Sequence, residues 1–262
     1  MRRLISLVVL LSLAACARHS TPKTTPVPLL GIQEAASPAT VDSLYRLAMK
    51  QVRSGDWADA LKALQRLTLE MPPSDPRIAE TRLFLGEAEL ARGDQLSAAR
   101  DFRQVADLTP NDPLAPVGLL RAGDAYAELW RKPDLDPTYG ETALATYQEL
   151  LNRYPDATPA ATAKMRIAKL QDEFAYKQYK TALYYLRIKA FDSGILYLKD
   201  LVATYPRSTI APDALLQLVG AYKRLGYTED VKETCGYIWR FHPDAPGVAE
   251  ACPAEADVPA PS

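Results

Sequence analysis

Two histidines and three cysteines are all that 262 residues offer toward a metal centre or a catalytic nucleophile. His19 and His242 stand near opposite ends, no Cys-x-x-Cys occurs, and no His/Cys spacing suits zinc. Neither a Ser/His/Asp or Cys/His constellation nor a Gly-rich phosphate loop is present, so nothing points to an enzyme, a bound metal or a cofactor. A carboxylate pair such as Glu87 and Asp124 carries no weight, because a 24% share of charged residues makes such coincidences common. β-Branched residues are sparse and neither Asn-Gly nor Asp-Gly occurs, which argues against strands and hairpins. Basic excess is missing too. The formal net charge is −1, and nucleic acid is usually approached with a basic patch.

The one sustained apolar run, Leu4 to Ala15, is too short to cross a membrane. Twelve helical residues rise about 18 Å against a hydrocarbon core of about 30 Å. Preceded by Arg2-Arg3 and closed by small residues, the run reads as a secretory signal peptide over 1–15. Leu13-Ala14-Ala15-Cys16 looks like a bacterial lipobox, in which Cys16 becomes the first mature residue and carries lipid. Several acyl chains give lasting anchorage where one does not. Ala17 at the next position, rather than Asp, resembles the enterobacterial sorting pattern for the outer membrane. Residues 16–40 then hold Pro22, Pro26, Pro28 and Pro38 among Ser, Thr and Ala, the composition of a flexible tether.

Beyond the tether, proline sets the organisation. None of the 21 prolines falls within 41–71, 77–109, 117–132, 138–154, 160–205 or 213–242, and these blocks carry apolar residues at helical spacing. Five units end alike, at Met71-Pro72, Thr109-Pro110, Tyr154-Pro155, Tyr205-Pro206 and His242-Pro243, with spacings of 38, 45, 51 and 37 residues. In three of them a glycine stands 17 residues before that proline: Gly55, Gly93 and Gly226. Glycine there closes a first helix, and about 14 residues of second helix follow. This is helix–turn–helix repetition near the 34-residue tetratricopeptide period.

Small residues recur where two helices of a unit approach. Ala48, Gly86 and Ala182 lie 24 before the closing proline, and Ala60, Ala98, Ala143 and Gly194 lie 12 before it. Eight before it come the larger Leu64, Phe102, Tyr147 and Leu198. The last unit fits least well, with Val219, Val231 and Cys235 at these places. The third unit carries an insert, Arg131 to Tyr139, whose Asp134 and Asp136 read as turn and capping residues rather than metal ligands. In the fourth, helical spacing continues from Thr162 towards Lys189, predicting an extended helix. The expected fold is all-α, with five tetratricopeptide-like repeats over 41–243 stacked into a right-handed superhelical solenoid. Residues 244–262, rich in Ala and Pro, read as a disordered tail. Cys235 and Cys252 are either paired, closing the last helix onto that tail in an oxidising compartment, or two free thiols.

Four stretches, in order, resemble the BamD family, the tetratricopeptide-repeat lipoproteins of the β-barrel assembly machinery. They are LYRLAMKQVRSGDWADALKALQRL (44–67), DPTYGETALATYQELLNRYPDA (136–157), AKMRIAKLQDEFAYKQYKTALYYLRIKAF (163–191) and YPRSTIAPDALLQLVGAYKRLGY (205–227). The resemblance covers nearly the whole chain past the tether. It implies a non-enzymatic scaffold, lipid-anchored on the periplasmic face of the outer membrane. Its C-terminal repeats would dock on the membrane-proximal POTRA domain of a BamA-like barrel insertase, and its N-terminal repeats would receive unfolded outer-membrane β-barrel substrates.

On the first helices, the positions between packing residues that would line a substrate groove are Tyr45, Met49, Leu83, Glu87 and Asp124. For partner docking, Arg187, Lys189, Lys199, Tyr222 and Arg224 stand out in the C-terminal units. A core role for Tyr or Met, and a solvated helix face for the charges, are the ordinary alternatives. The alternative function is a periplasmic repeat adaptor lipoprotein serving cell-envelope or division machinery. Such adaptors often add a coiled coil before the repeats, where this chain has a short Pro-rich tether.

Overall fold

The computed structural model describes residues 37–253, so the signal peptide, Cys16 and nearly all of the tether lie outside the described residues, as does 254–262 of the tail. Ten helices form five pairs. They are α1 (Pro38–Ser54) with α2 (Trp57–Glu70), α3 (Ile78–Ala91) with α4 (Gln95–Leu108), and α5 (Ala115–Leu129) with α6 (Thr138–Arg153). Then come α7 (Pro159–Arg187) with α8 (Phe191–Thr204) and α9 (Ala211–Leu225) with α10 (Thr228–Phe241), followed by a single turn, α11 (Val248–Ala251). Each helix packs on its neighbours in chain order, and first helices of successive pairs also meet, α3 with α5, α5 with α7 and α7 with α9. The architecture is the tetratricopeptide-like helical solenoid that the repeat spacing predicts.

Local chemistry explains where the helices stop. Ser37 caps α1 by accepting the Thr40 N–H, and Asp56 and Asp94 cap α2 and α4 in the same way. Gly55, Gly93 and Gly226 have φ of 73°, 82° and 75°, the left-handed conformation that closes a helix without a Cβ penalty. At the other end of each unit the residue before proline is driven out of the helical region. Thr109, Tyr154, Tyr205 and His242 share φ between −124° and −140°. The fourth unit has Lys189, not glycine, 17 residues before its proline, and Lys189 adopts φ 63°. It is the one non-glycine residue at positive φ among the described residues.

Within a pair, a small residue on the first helix receives a large one from the second. A Cβ on Gly86 would stand 2.6 Å from the Phe102 ring, and one on Gly123 would collide with the Tyr147 ring. Gly123 lies 32 residues before Pro155, the same place as Gly86 before Pro110 once the eight-residue lengthening of the third unit is allowed for. Phe102, Tyr147, Leu64 and Leu198 are all fully buried. The extended helix of the fourth unit runs for 29 residues. Leu170 and Phe174 join the core of the third unit, while Ala175 and Ala182 join the last one, so α7 is a beam shared by two cores.

Two boundaries differ from the sequence reading. The first helix begins at Pro38, inside the span assigned to the tether, because proline at N1 costs a helix nothing and Ser37 supplies the cap. Residues 244–253 do not belong to a disordered tail. Val248 and Cys252 are each 2% exposed and complete the core of the last repeats, and Cys235 and Cys252 are joined by a disulfide. Alanine and proline content hides this because one valine and one covalent bond do the anchoring.

Candidate functional site

The first helices of the first four units are cross-linked by their own polar side chains. Between α1 and α3, Arg77 binds Asp42 at 2.8 Å and its guanidinium lies 4.9 Å from the centre of the Tyr45 ring. Tyr45 in turn donates its hydroxyl to Glu80. Burial first, and then the Glu80 carboxylate, push the Tyr45 phenol up to about 12. Between α3 and α5, Arg121 grips Glu87 with both Nε and Nη2, at 2.7 and 2.6 Å, and lies over the Phe102 ring at 5.3 Å. Between α5 and α7, Asp124 accepts the Tyr147 hydroxyl at 2.7 Å and Arg166 Nε at 3.1 Å. Burial and that carboxylate both raise the Tyr147 phenol above its ordinary value.

These rungs follow a rule. The Tyr45–Glu80 and Asp42–Arg77 partners are 35 residues apart, Glu87 and Arg121 are 34 apart, and Asp124 and Arg166 are 42 apart. The first two spacings lie close to the 34-residue period, and the third is close to that period plus the lengthening of the third unit. Scanning the sequence for opposite charges about one period apart finds Arg77 and Arg121, and allowing for the insert adds Arg166; reading each unit alone passes over all three.

Three of the five groove residues therefore lie on this face with partners already in place: Tyr45, Glu87 and Asp124. Leu83 is half-buried and packs against the core around Phe102. Met49 is 6% exposed and belongs to the core, so the groove assignment does not hold for it. Its neighbour Ala48 is fully buried, and the adjacent methionine turns inward with it.

Beside the third rung a cleft of about 450 Å³ opens between α5, the insert and α7, lined by Arg121, Asp124, Trp130, Arg131, Arg166 and Lys169. The insert is held by the chain itself. Trp130 stacks on Phe174 with ring centres 4.5 Å apart, in space that Gly140 leaves open. Asp134 binds Lys180 at 2.7 Å, and Asp136 accepts the Thr138 N–H at 2.9 Å as a turn-forming aspartate does.

Toward the C-terminus a second groove of about 370 Å³ runs between α8, α9 and α10. Two of the five docking residues meet there: Lys199 on its rim and Tyr222 in its floor beside Leu215 and Leu218. Tyr222 is 5% exposed and packed into the core, so it shapes the groove and is not a free docking side chain. Asp230, Glu233 and Tyr237 complete the wall, and Tyr237 continues into exposed Phe241, 4.6 Å away between ring centres. Sequence reading missed Tyr237 and Phe241, although a four-residue aromatic spacing on a charged helix marks them.

The remaining docking residues are scattered. Arg187 is exposed beside the Tyr184 ring, at 5.7 Å, and Arg224 lies 5.9 Å from the Phe191 ring. Lys189 is exposed too, but its backbone turns the chain from α7 into α8: its N–H bonds to the Leu186 carbonyl at 3.1 Å. Among the described residues no helix is long and apolar enough to cross a membrane.

A family model described as outer membrane lipoprotein, YfiO, matches residues 38–236, from the first residue of α1 into α10. The chain is similar to proteins named outer membrane protein assembly factor BamD. The relative from Neisseria gonorrhoeae is 24% identical over 253 residues, covering 92% of this chain and 91% of its own length. The one from Vibrio cholerae is 26% identical over 201 residues, 73% of this chain and 83% of that protein. The one from Caulobacter vibrioides is 24% identical over 192 residues, 73% of this chain and 63% of that protein, less than two thirds of its length. The match runs from α1 into α10, and the chain belongs to the YfiO family of outer membrane lipoproteins.

Proposed function

We propose that this chain is a non-enzymatic scaffold for the assembly of outer-membrane β-barrel proteins, anchored through lipid on Cys16 at the periplasmic face of the outer membrane. Its C-terminal repeats hold a barrel insertase by the membrane-proximal POTRA domain. Its N-terminal repeats receive unfolded barrel substrates. The observation that carries the reading is the coincidence of the family match, 38–236, with the helical array that bears both grooves. The names of the Neisseria, Vibrio and Caulobacter relatives give the direction of the work.

The two surfaces suit the two tasks. The α8–α10 groove has an apolar floor of Leu215, Leu218 and Tyr222 within a rim of Lys199, Asp230 and Glu233. Apolar anchors ringed by charge are how folded partners are held. The face made by the first helices of the first four units is polar and internally paired, and stacked repeats of this kind form an extended surface along which a chain can lie. Affinity capture of the lipidated protein from detergent-solubilised envelope tests the reading. Recovery of the barrel insertase supports it, while consistent recovery of cell-wall or division proteins in its place favours the adaptor alternative and removes the scaffold.

A further inference from the structure

The segment after α10 has the form of a cap. Repeat arrays cover the outer core of an end repeat with a terminal element. Here the element is the chain from Pro243 to Pro253. Val248 and Cys252 fill the surface left by Leu215, Leu218, Ala221 and Ile238. Lys223 Nζ donates to the Ala251 carbonyl at 2.6 Å, and Trp239 Nε1 donates to the Cys252 carbonyl at 3.0 Å. Its only helix, α11, has four residues, far fewer than a helix needs to stand by itself. Two side-chain hydrogen bonds, buried Val248 and the half-buried Ala245 and Ala251 are a slender hold on an eleven-residue segment. The disulfide from Cys252 back to Cys235 on α10 is therefore the main fastening.

We propose that closing this cap is an oxidative maturation step, and that the chain is a substrate for a thiol–disulfide oxidant of the compartment beyond the inner membrane. Cys235 sits half-buried on a fixed helix, whereas Cys252 is buried only once the cap is docked. Cys235 reacts first. Its thiolate displaces one sulfur of a disulfide donor, forming a mixed disulfide and releasing that sulfur as a thiolate. Docking of Val248 brings Cys252 to the site, and its thiolate attacks the Cys235 sulfur. The Cys235–Cys252 bond forms and the donor's second sulfur leaves. The two cysteine protons end on the donor, which takes up two electrons and becomes a dithiol. The Cα atoms stand 5.4 Å apart in the product, within the normal range for a disulfide, so α10 need not distort to accept the bond. A link across 17 residues favours the closed arrangement by roughly a hundredfold over the reduced chain.

The test uses the full-length lipoprotein. Wild-type protein purified from the envelope is denatured and titrated with a maleimide, and native hydrogen exchange is compared between wild type and Cys252→Ser. The expected results are no label on Cys235 or Cys252, and a roughly hundredfold loss of amide protection in Cys252→Ser confined to 244–253 and the end of α10. Full labelling of the wild-type thiols overturns the maturation step. Unchanged protection of 244–253 in Cys252→Ser, or loss of protection through α1 to α8, overturns the assignment of the disulfide as the fastening of a local cap. Circular dichroism of the variant separates a local release from global unfolding.

Discussion

Lys189 occupies a position that three other units give to glycine, and at φ 63° its Cβ crowds the backbone. A left-handed turn costs a side-chain-bearing residue about 1 kcal/mol relative to glycine. Lys189→Gly is therefore expected to raise stability by about 1 kcal/mol, read as an upward shift of the thermal midpoint, and a lower midpoint would refute the assignment of strain. Glu89 presents the opposite case, a charge with nowhere to go. It is 8% exposed, faces Asp101 across the α3–α4 contact, and Asp101 already holds Arg82 at 2.8 Å. Burial first, and then the Asp101 carboxylate, raise Glu89 to about 7, with Asp94 adding to the rise and Arg100 opposing it. The folded protein thus holds this proton more tightly than the unfolded chain does. Its contribution to stability is present below the ordinary glutamate range and is lost as pH rises towards about 7. Glu89→Gln should flatten the pH dependence of the denaturant midpoint between the ordinary glutamate value and about pH 7, and an unchanged slope would mean another group is responsible. Both features escaped sequence reading for a physical reason. A φ value and the company a buried carboxylate keeps are set by tertiary packing, not by neighbours in the chain.

At the scale of helices and turns, the repeat was plain in the sequence because its marks are local. Proline pushes the preceding residue out of the helix, glycine closes the first helix, and Gly86 leaves room for Phe102. Those marks found ten helices and the extended α7. They did not find the rungs between first helices, because the partners sit one full period apart, or the capping turn, because its order depends on a pairing of cysteines that composition leaves open. The Glu87–Arg121 rung is bidentate and about one-third exposed, which places its worth near 0.5–1 kcal/mol after solvent screening. Arg121→Glu should destabilise by that amount or somewhat more, since it sets two carboxylates together. Adding Glu87→Arg should restore most of the loss. A double-mutant cycle with no coupling would show that the rung is ornamental and that apolar packing alone sets the angle between α3 and α5.

In the whole molecule a match to a lipoprotein family, a five-repeat array and two grooves of different character come together. The docking prediction falls on the α8–α10 groove, where Lys199 and Tyr237 stand at the rim and are free to change without emptying the core. Tyr222 is the wrong residue for that purpose, because its removal would leave a hole beside Leu215 and Leu218. The most direct measurement is parallel affinity capture from solubilised envelope with the wild-type lipoprotein and with a Lys199→Glu/Tyr237→Ala variant whose helicity is checked first. Wild type is expected to recover the barrel insertase, and the variant at least tenfold less of it at equal bait. Equal recovery by both, or none by the wild type, would contradict that expectation.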